Sequence, residues 1–274
     1  SNGESYNSYR NSYHKPLISL NHQWQINSKS SLSTSLYVSL GRGSGFSGQG
    51  NTEFSPYSYT SWRGAYKGTL YDTFRRSDGT FDYAAIEEIN RTSEYGSALI
   101  AARSNNSHDW YGLLSTYTTK IGQYLDFYGG IDYRFYKGVH RNEISDLFGG
   151  TYYLDSERGN VDVKNNIHAA DPNWRYQKLG VGDVVFRDYD GFVMQEGGFF
   201  QLEYNKDRLA AFVAGSLSNT GYWRYDRFYY DKEHAKSKTV NFLGFTAKGG
   251  ANYNITDNHN VFANVGYISR APKY

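Results

Sequence analysis

Between Leu17 and Gly41 the chain alternates strictly between two kinds of residue. Ile18, Leu20, His22, Trp24 and Ile26 fall on one face, while Ser19, Asn21, Gln23 and Gln25 fall on the other. After a polar Asn27-Ser28-Lys29-Ser30 turn the pattern resumes. Leu32, Thr34, Leu36, Val38 and Leu40 then oppose Ser31, Ser33, Ser35, Tyr37 and Ser39. A period of two on both sides of a short polar turn predicts a β-hairpin. Three more hairpins follow the same rule, so the expected set covers about 13–41, 109–137, 192–218 and 239–270. The polar face is rich in Ser, Asn and Gln rather than charge, which suits a wet lumen.

Long segments separate the hairpins: 42–108, 138–190 and 219–238. Loops of that length are uncommon inside compact domains. Short turns alternating with long loops are the asymmetry of a membrane β-barrel, whose long loops lie outside the cell. Strands with apolar residues only at alternate positions keep mean hydropathy low, here −0.70, and no apolar run reaches helix-spanning length. The fold class expected is therefore all-β: an antiparallel transmembrane barrel segment of about eight strands with long extracellular loops. Within the first loop, Asp82 before Tyr83-Ala84-Ala85-Ile86-Glu87-Glu88-Ile89 predicts one capped helix, with Glu87 and Glu88 on its solvated face. Residues 97–103 suggest another helical turn or two.

Strand direction adds an expectation. If the short turns are periplasmic, the first strand runs inward and the last outward, leaving both chain ends outside. Eight strands also close too narrow a barrel for a large solute. The chain therefore reads as a slice of about eight consecutive strands from a larger barrel, with two unpaired edges. The polar stretch 1–13 is not a signal peptide, so an exported protein would lack its start.

Composition changes the picture in few places. Aromatic residues make up 18%, with 28 Tyr against a single Met and four Pro, which favours strands over helices. A net charge of +2 predicts no nucleic-acid partner. The absence of Cys removes disulfides, thiolate metal sites and thiol nucleophiles.

Local motifs yield no chemistry. Gly43-x-Gly45-x-x-Gly48 fits a dinucleotide spacing, but no helix follows, so it reads as a flexible strand-exit loop. His140-Arg141-Asn142-Glu143 lacks a second His at helical spacing and reads as a loop. Asp188-Tyr189-Asp190-Gly191 lacks the later Glu of a calcium loop and reads as a turn. No catalytic residue, cofactor site or metal site is expected, and the chain is not expected to be an enzyme. The candidates for ligand contact are aromatic and basic residues in or beside the long loops: Trp62, Arg63, Tyr66, Trp110, Arg134, Tyr136, His140, Arg141, Trp174 and Trp223. Their rings would stack on a flat ligand, and Arg would hold its anionic groups.

Four phrases carry a resemblance. They are Asn105-Asn106-Ser107-His108-Asp109-Trp110-Tyr111-Gly112, Gly130 to His140 (GIDYRFYKGVH), Lys248 to Ile255 (KGGANYNI) and the ending Tyr267-Ile268-Ser269-Arg270-Ala271-Pro272. Together they resemble the barrel of TonB-dependent outer-membrane receptors, over nearly the whole chain. The resemblance implies the outer membrane of a Gram-negative bacterium and a barrel of about 22 strands plugged by an N-terminal domain. It implies energised uptake of a ferric siderophore, haem, cobalamin or glycan. The implied partners are the TonB complex, reached through a plug not found in this sequence, the small nutrient ligand, outer-membrane lipid and, as an option, a surface lipoprotein. Two other readings stay open: a soluble, aromatic-rich carbohydrate-binding β protein, and a passive porin or enzyme barrel.

Overall fold

Each hairpin of the sequence pattern extends into a longer pair of strands in the computed structural model, which describes residues 10–51, 53, 74, 76–78 and 82–272. The strands are β1 (Asn11–His14), β2 (Leu17–Asn27), β3 (Ser30–Gly50), β4 (Leu99–Ile121), β5 (Leu125–Asp146), β6 (Val184–Lys206), β7 (Leu209–Asp226), β8 (Val240–Thr256) and β9 (His259–Ser269). All pair antiparallel in chain order. β1 and β2 lie end to end along β3. Pro16 between them has no N–H to donate, but its carbonyl accepts from Leu40 N at 3.3 Å. The two therefore act as one edge strand, giving eight passes. The sheet is open: among the described residues the β1–β2 edge and β9 do not pair.

The turns between strands are tight for local reasons. At Ser28–Lys29 the Asn27 side chain accepts from Lys29 N at 2.8 Å. At β4–β5 the chain reverses through Gly122 at φ 68°, where a side chain would be strained.

Register decides which residues share a face, because directly paired residues project to the same side. One row runs Leu20, Leu36, Leu113, Tyr133 and another Ile131, Gly198, Leu217, Phe245. Leu125, Phe127, Val265 and Tyr267 belong to the same side. This is the apolar face expected from the sequence. Gln23, Ser33 and Ser35 occupy the opposite, polar face, as expected, and Asp126, Arg134 and Lys248 share it. Many apolar-face side chains are well exposed, Leu20 at 67%, Leu243 at 71% and Val265 at 79% among them, so the sheet has no soluble-type core beneath them.

The ends of the strands opposite the short turns are built differently. Helix α1 (Tyr83–Thr92) begins at Asp82, whose side chain accepts from Ala85 N at 3.2 Å. Its Ile86 joins Phe74, Leu99, Ala101 and Phe148 in one buried cluster. On the other side of β4, Ile100 and Ala102 join Ile144, Tyr153, Leu179 and Val185 in a second. Asn90 locks α1 down: its amide donates to Leu99 O at 2.7 Å and Leu147 O at 2.9 Å, and its oxygen accepts from Ala98 N and Leu99 N. Glu87 and Glu88 face Arg91 on the exposed side, at 4.0 and 2.6 Å.

Several sequence expectations need correcting. Residues 99–103 are strand, not a helical turn; their apolar run marks a strand covered on both faces, which periodicity alone does not separate from a helix. Gly43, Gly45 and Gly48 lie inside β3, not in an exit loop. His140 to Glu143 belong to β5 and Asp188 to Gly191 to β6. In each case polar residues continue a strand through backbone pairing, without the apolar alternation that would announce it.

Candidate functional site

The polar face carries one concentrated stripe of rings and cations where β4, β5, β6 and β7 run beyond the hairpins expected from the sequence. Counting by twos along each strand places Trp110, His108 and Asn106 of β4 beside Tyr136, Gly138 and His140 of β5. Tyr189 of β6 pairs with His140, and Asp226 of β7 pairs with Tyr189. Tyr13 of β1 pairs with Gly43 and reaches the same stripe.

Glycine lets these rings lie flat. A Cβ at Gly41 would overlap the His108 ring, one at Gly43 the Tyr13 ring, and one at Gly112 the Tyr37 ring. The paired ring thus drapes along the wall instead of projecting from it. His108 stacks on Tyr136 with centroids 5.7 Å apart, Trp110 meets Tyr136 edge-on at 6.1 Å, and Tyr13 lies 6.5 Å from His108. Lys15 Nζ stands 5.9 Å from the Trp110 ring.

Further along the strands, His140 packs on Tyr189 at 4.9 Å, and the Arg224 guanidinium lies 4.1 Å over the same Tyr189 ring. His140 Nδ1 hydrogen-bonds Asn106 Oδ1 at 2.9 Å. Arg187 donates to Ser104 Oγ at 2.7 Å and Asn142 Oδ1 at 3.2 Å. Arg224 is paired with the buried Asp226 carboxylate. Three nitrogens in the stripe, His108 Nε2, Trp110 Nε1 and Arg224 Nε, are buried without a hydrogen-bond partner among the described residues. The stripe combines flat π surfaces with Lys15, Arg187 and Arg224 against one carboxylate. That chemistry suits a planar or ring-bearing ligand with anionic groups.

The residues expected from the sequence divide by location. Trp110, Tyr136 and His140 meet in the stripe. Arg134 shares its face but lies nearer the turns, held by Asp132 on the same strand at 3.0 Å. Arg141 projects from the apolar side and pairs with Glu143 at 3.0 Å. Trp223 is also on that side, stacked on Phe192 at 5.1 Å with planes 3° apart. Trp174 sits in the short helix α2 (Pro172–Arg175) under the Arg158 guanidinium, 4.8 Å away. Trp62, Arg63 and Tyr66 lie outside the described residues. Sequence reasoning missed His108, Tyr189, Arg187, Lys15 and Tyr13. The signal for His108 and Tyr189 was their parity with Trp110, Tyr136 and His140, hidden because the strands were expected to end too soon.

A trough of about 1300 Å³ lies elsewhere, mostly on the apolar face, where Gly198, Gly215, Ala247 and Gly249 sit between Phe200, Leu217, Phe245 and Tyr267. It is separate from the stripe and lacks its chemistry.

Comparison with solved structures places this architecture. The open form of the ferric-catecholate import receptor Fiu from E. coli K12 aligns over 97% of this chain with a TM-score of 0.50 and 10% sequence identity. The fold shared with it is the antiparallel barrel wall of an outer-membrane receptor, here as an open sheet. The closed form of the same receptor aligns over 94% of the chain at a TM-score of 0.45, also at 10% identity. This chain spans only about a third of the receptor it matches, 37% in the open form and 33% in the closed form. No protein-family model matches the sequence, and comparison with curated proteins returns no match. No helix among the described residues is long and apolar enough to cross a membrane, which leaves crossing by strands open.

Proposed function

We propose that this chain is wall and loop of an outer-membrane, TonB-energised uptake receptor for a scarce nutrient: a ferric siderophore, haem, cobalamin or glycan. The observation that carries the reading is the division of the sheet into a largely apolar and a largely polar face that keeps register from strand to strand, interrupted on the apolar side by the hydrogen-bonded Glu196 and Asn219. Aromatic rows bound the apolar face. Near the short turns, Tyr124 and Tyr204 lie 6.4 Å apart. At the other rim, Tyr111, Phe135, Phe192 and Trp223 form a connected group. From Tyr204 to Phe192 on β6 is about twelve residues, roughly 40 Å of strand. At a 45° tilt that is about 28 Å of height, close to the apolar band of an outer-membrane barrel.

In this reading the polar face lines the lumen, and the stripe stands above the membrane on the lumen wall, toward the extracellular loops. A ligand caught there is held by ring stacking and by Lys15, Arg187 and Arg224, then passes inward once the plug is remodelled by TonB. The neighbour named for ferric-catecholate import fits a ligand with aromatic rings and negative charge, though the other ligand classes share one or both features.

The test titrates the whole protein, in detergent, with ferric catecholate, haem, cobalamin and a charged oligosaccharide. One ligand class is expected to bind, with Trp110→Ala and Tyr136→Ala each weakening it about tenfold, and cellular uptake should require TonB. Binding indifferent to both substitutions, or uptake independent of TonB, contradicts the reading.

A further inference from the structure

The apolar face does not end at its aromatic rim. Immediately beyond it, on the same face, lies a band of ion pairs. Arg42 meets Asp109 at 2.7 Å. Arg103 and Arg141 share Glu143, at 2.6 and 3.0 Å. Lys137 and Arg227 share Asp190, at 3.2 and 3.0 Å, and Arg227 also takes Asp188 at 2.8 Å. Five basic groups face four carboxylates, so the formal charge nearly cancels.

The exposure does not cancel. The basic side chains are 35–56% exposed and the carboxylates only 9–26%. The carboxylates lie against the sheet and hold the cations outward, so the surface presented sideways is positive. Ion pairs of this exposure add little stability, and a structural role would not require the cations outermost. The row begins at Asp109 and Lys137, one step along the strands from Tyr111 and Phe135, and Lys137 Nζ stands 5.9 Å from the Phe192 ring of the rim.

We propose that this band binds the phosphate groups of anionic lipids in the leaflet at the long-loop end of the barrel. The inference rests on the membrane reading above. Apolar wall, aromatic rim and outward guanidinium groups follow in the order acyl chain, interface and headgroup. Arginine forks match phosphate oxygens in two-point contact, and each guanidinium has donors beyond those its carboxylate occupies.

The whole protein is reconstituted into phosphatidylcholine bilayers with and without 30 mol% phosphatidylglycerol, and the lipids retained on extraction are counted by native mass spectrometry. Among the retained lipids the ratio of phosphatidylglycerol to phosphatidylcholine should exceed the bulk ratio at least about fivefold in the wild type, and by less as salt rises. The triple variant R103Q/E143Q/R141Q removes two cations without leaving a lone carboxylate. It and the single variant R42Q should each cut the enrichment, while K248Q on the polar face leaves it unchanged. A wild type that inserts but retains the two lipids in bulk proportion overturns this inference and leaves the membrane reading standing. A protein that inserts into neither bilayer overturns both.

Discussion

The wall and the cap of this molecule are held together by different physics. In the wall, from the short turns to the aromatic rim, the strands run in ladders broken only by register shifts at Ile26 and Ile255, yet large apolar side chains such as Leu36, Leu243 and Val265 stand exposed. At the long-loop end, Phe74, Ile86, Leu99 and Ile100 are buried as in a small soluble domain. The wall takes its order from backbone pairing and depends on its surroundings to cover one face. The cap brings its own core. The same strand, β4, does both: alternating two-sided wall from His108 onward, fully covered core strand at Leu99–Ala102.

Perturbing each region should therefore read out differently. The largest effect is expected from Leu36→Lys, which places charge on the apolar side proposed to meet lipid and should cost about 2–4 kcal/mol of bilayer assembly near the midplane. Ser35→Lys, one residue away on the polar side, should be mild. Folding yield into lipid vesicles measures both, and equal tolerance would erase the distinction between the faces.

In the cap, Asp155 supplies a pH handle. Its carboxylate is buried and accepts from Phe186 N at 2.8 Å and Glu157 N at 3.1 Å. Burial outweighs those bonds and pushes its pKa up to about 6. An acid with a raised folded pKa costs nothing below its unfolded value near 4. The cost grows from pH 4 to 6 and is complete above 6, up to about 3 kcal/mol. Amide-exchange protection factors at Phe186 and Glu157 should be higher at pH 5 than at pH 7.5, while those of the wall near Leu36 stay level. The reverse trend would remove Asp155 as the cause.

Asn90→Ala should loosen the cap by about 2 kcal/mol, because Ala98 N and the Leu99 groups lose buried partners. Proteolytic nicking between α1 and β4 is the expected symptom, with wall assembly intact. The smallest effect is expected at Gly112→Ala. The new methyl displaces the Tyr37 ring from the wall and should cost about 1 kcal/mol, measured as a shift in urea midpoint.

The wall was legible in the sequence because alternation is a direct consequence of a two-sided strand. Ile18 to Leu40 announced both a hairpin and its faces. The upper strands were not legible, since Ser104, Asn105, Asn106, Gly138 and Asn142 are polar or lack a side chain and so carry no apolar rhythm. That gap hid the site: His108 and Tyr189 fall into the stripe only when strand parity is carried past Asp109 and Gly191. Trp223 and Arg141, expected from aromatic and basic character to line a binding mouth, lie by parity on the apolar side of the sheet. The helix at Tyr83 was legible through its Asp82 cap. Its docking was not, because Asn90 reads as an ordinary helix-surface residue until Leu99 and Leu147 are brought beside it.

The chain contains no cysteine, so single labels can be placed at will. The most direct test of the two-faced wall is a nitroxide scan of Leu32 to Leu40 in the reconstituted protein, read as collision with lipid-soluble oxygen against a water-soluble nickel complex. Leu32, Thr34, Leu36 and Val38 should favour oxygen, and Ser33, Ser35, Tyr37 and Ser39 should favour nickel, with a strict period of two that fades at Leu40 beside Asp109. Uniform access of nickel to both sets would contradict a membrane wall and leave a soluble sheet in its place.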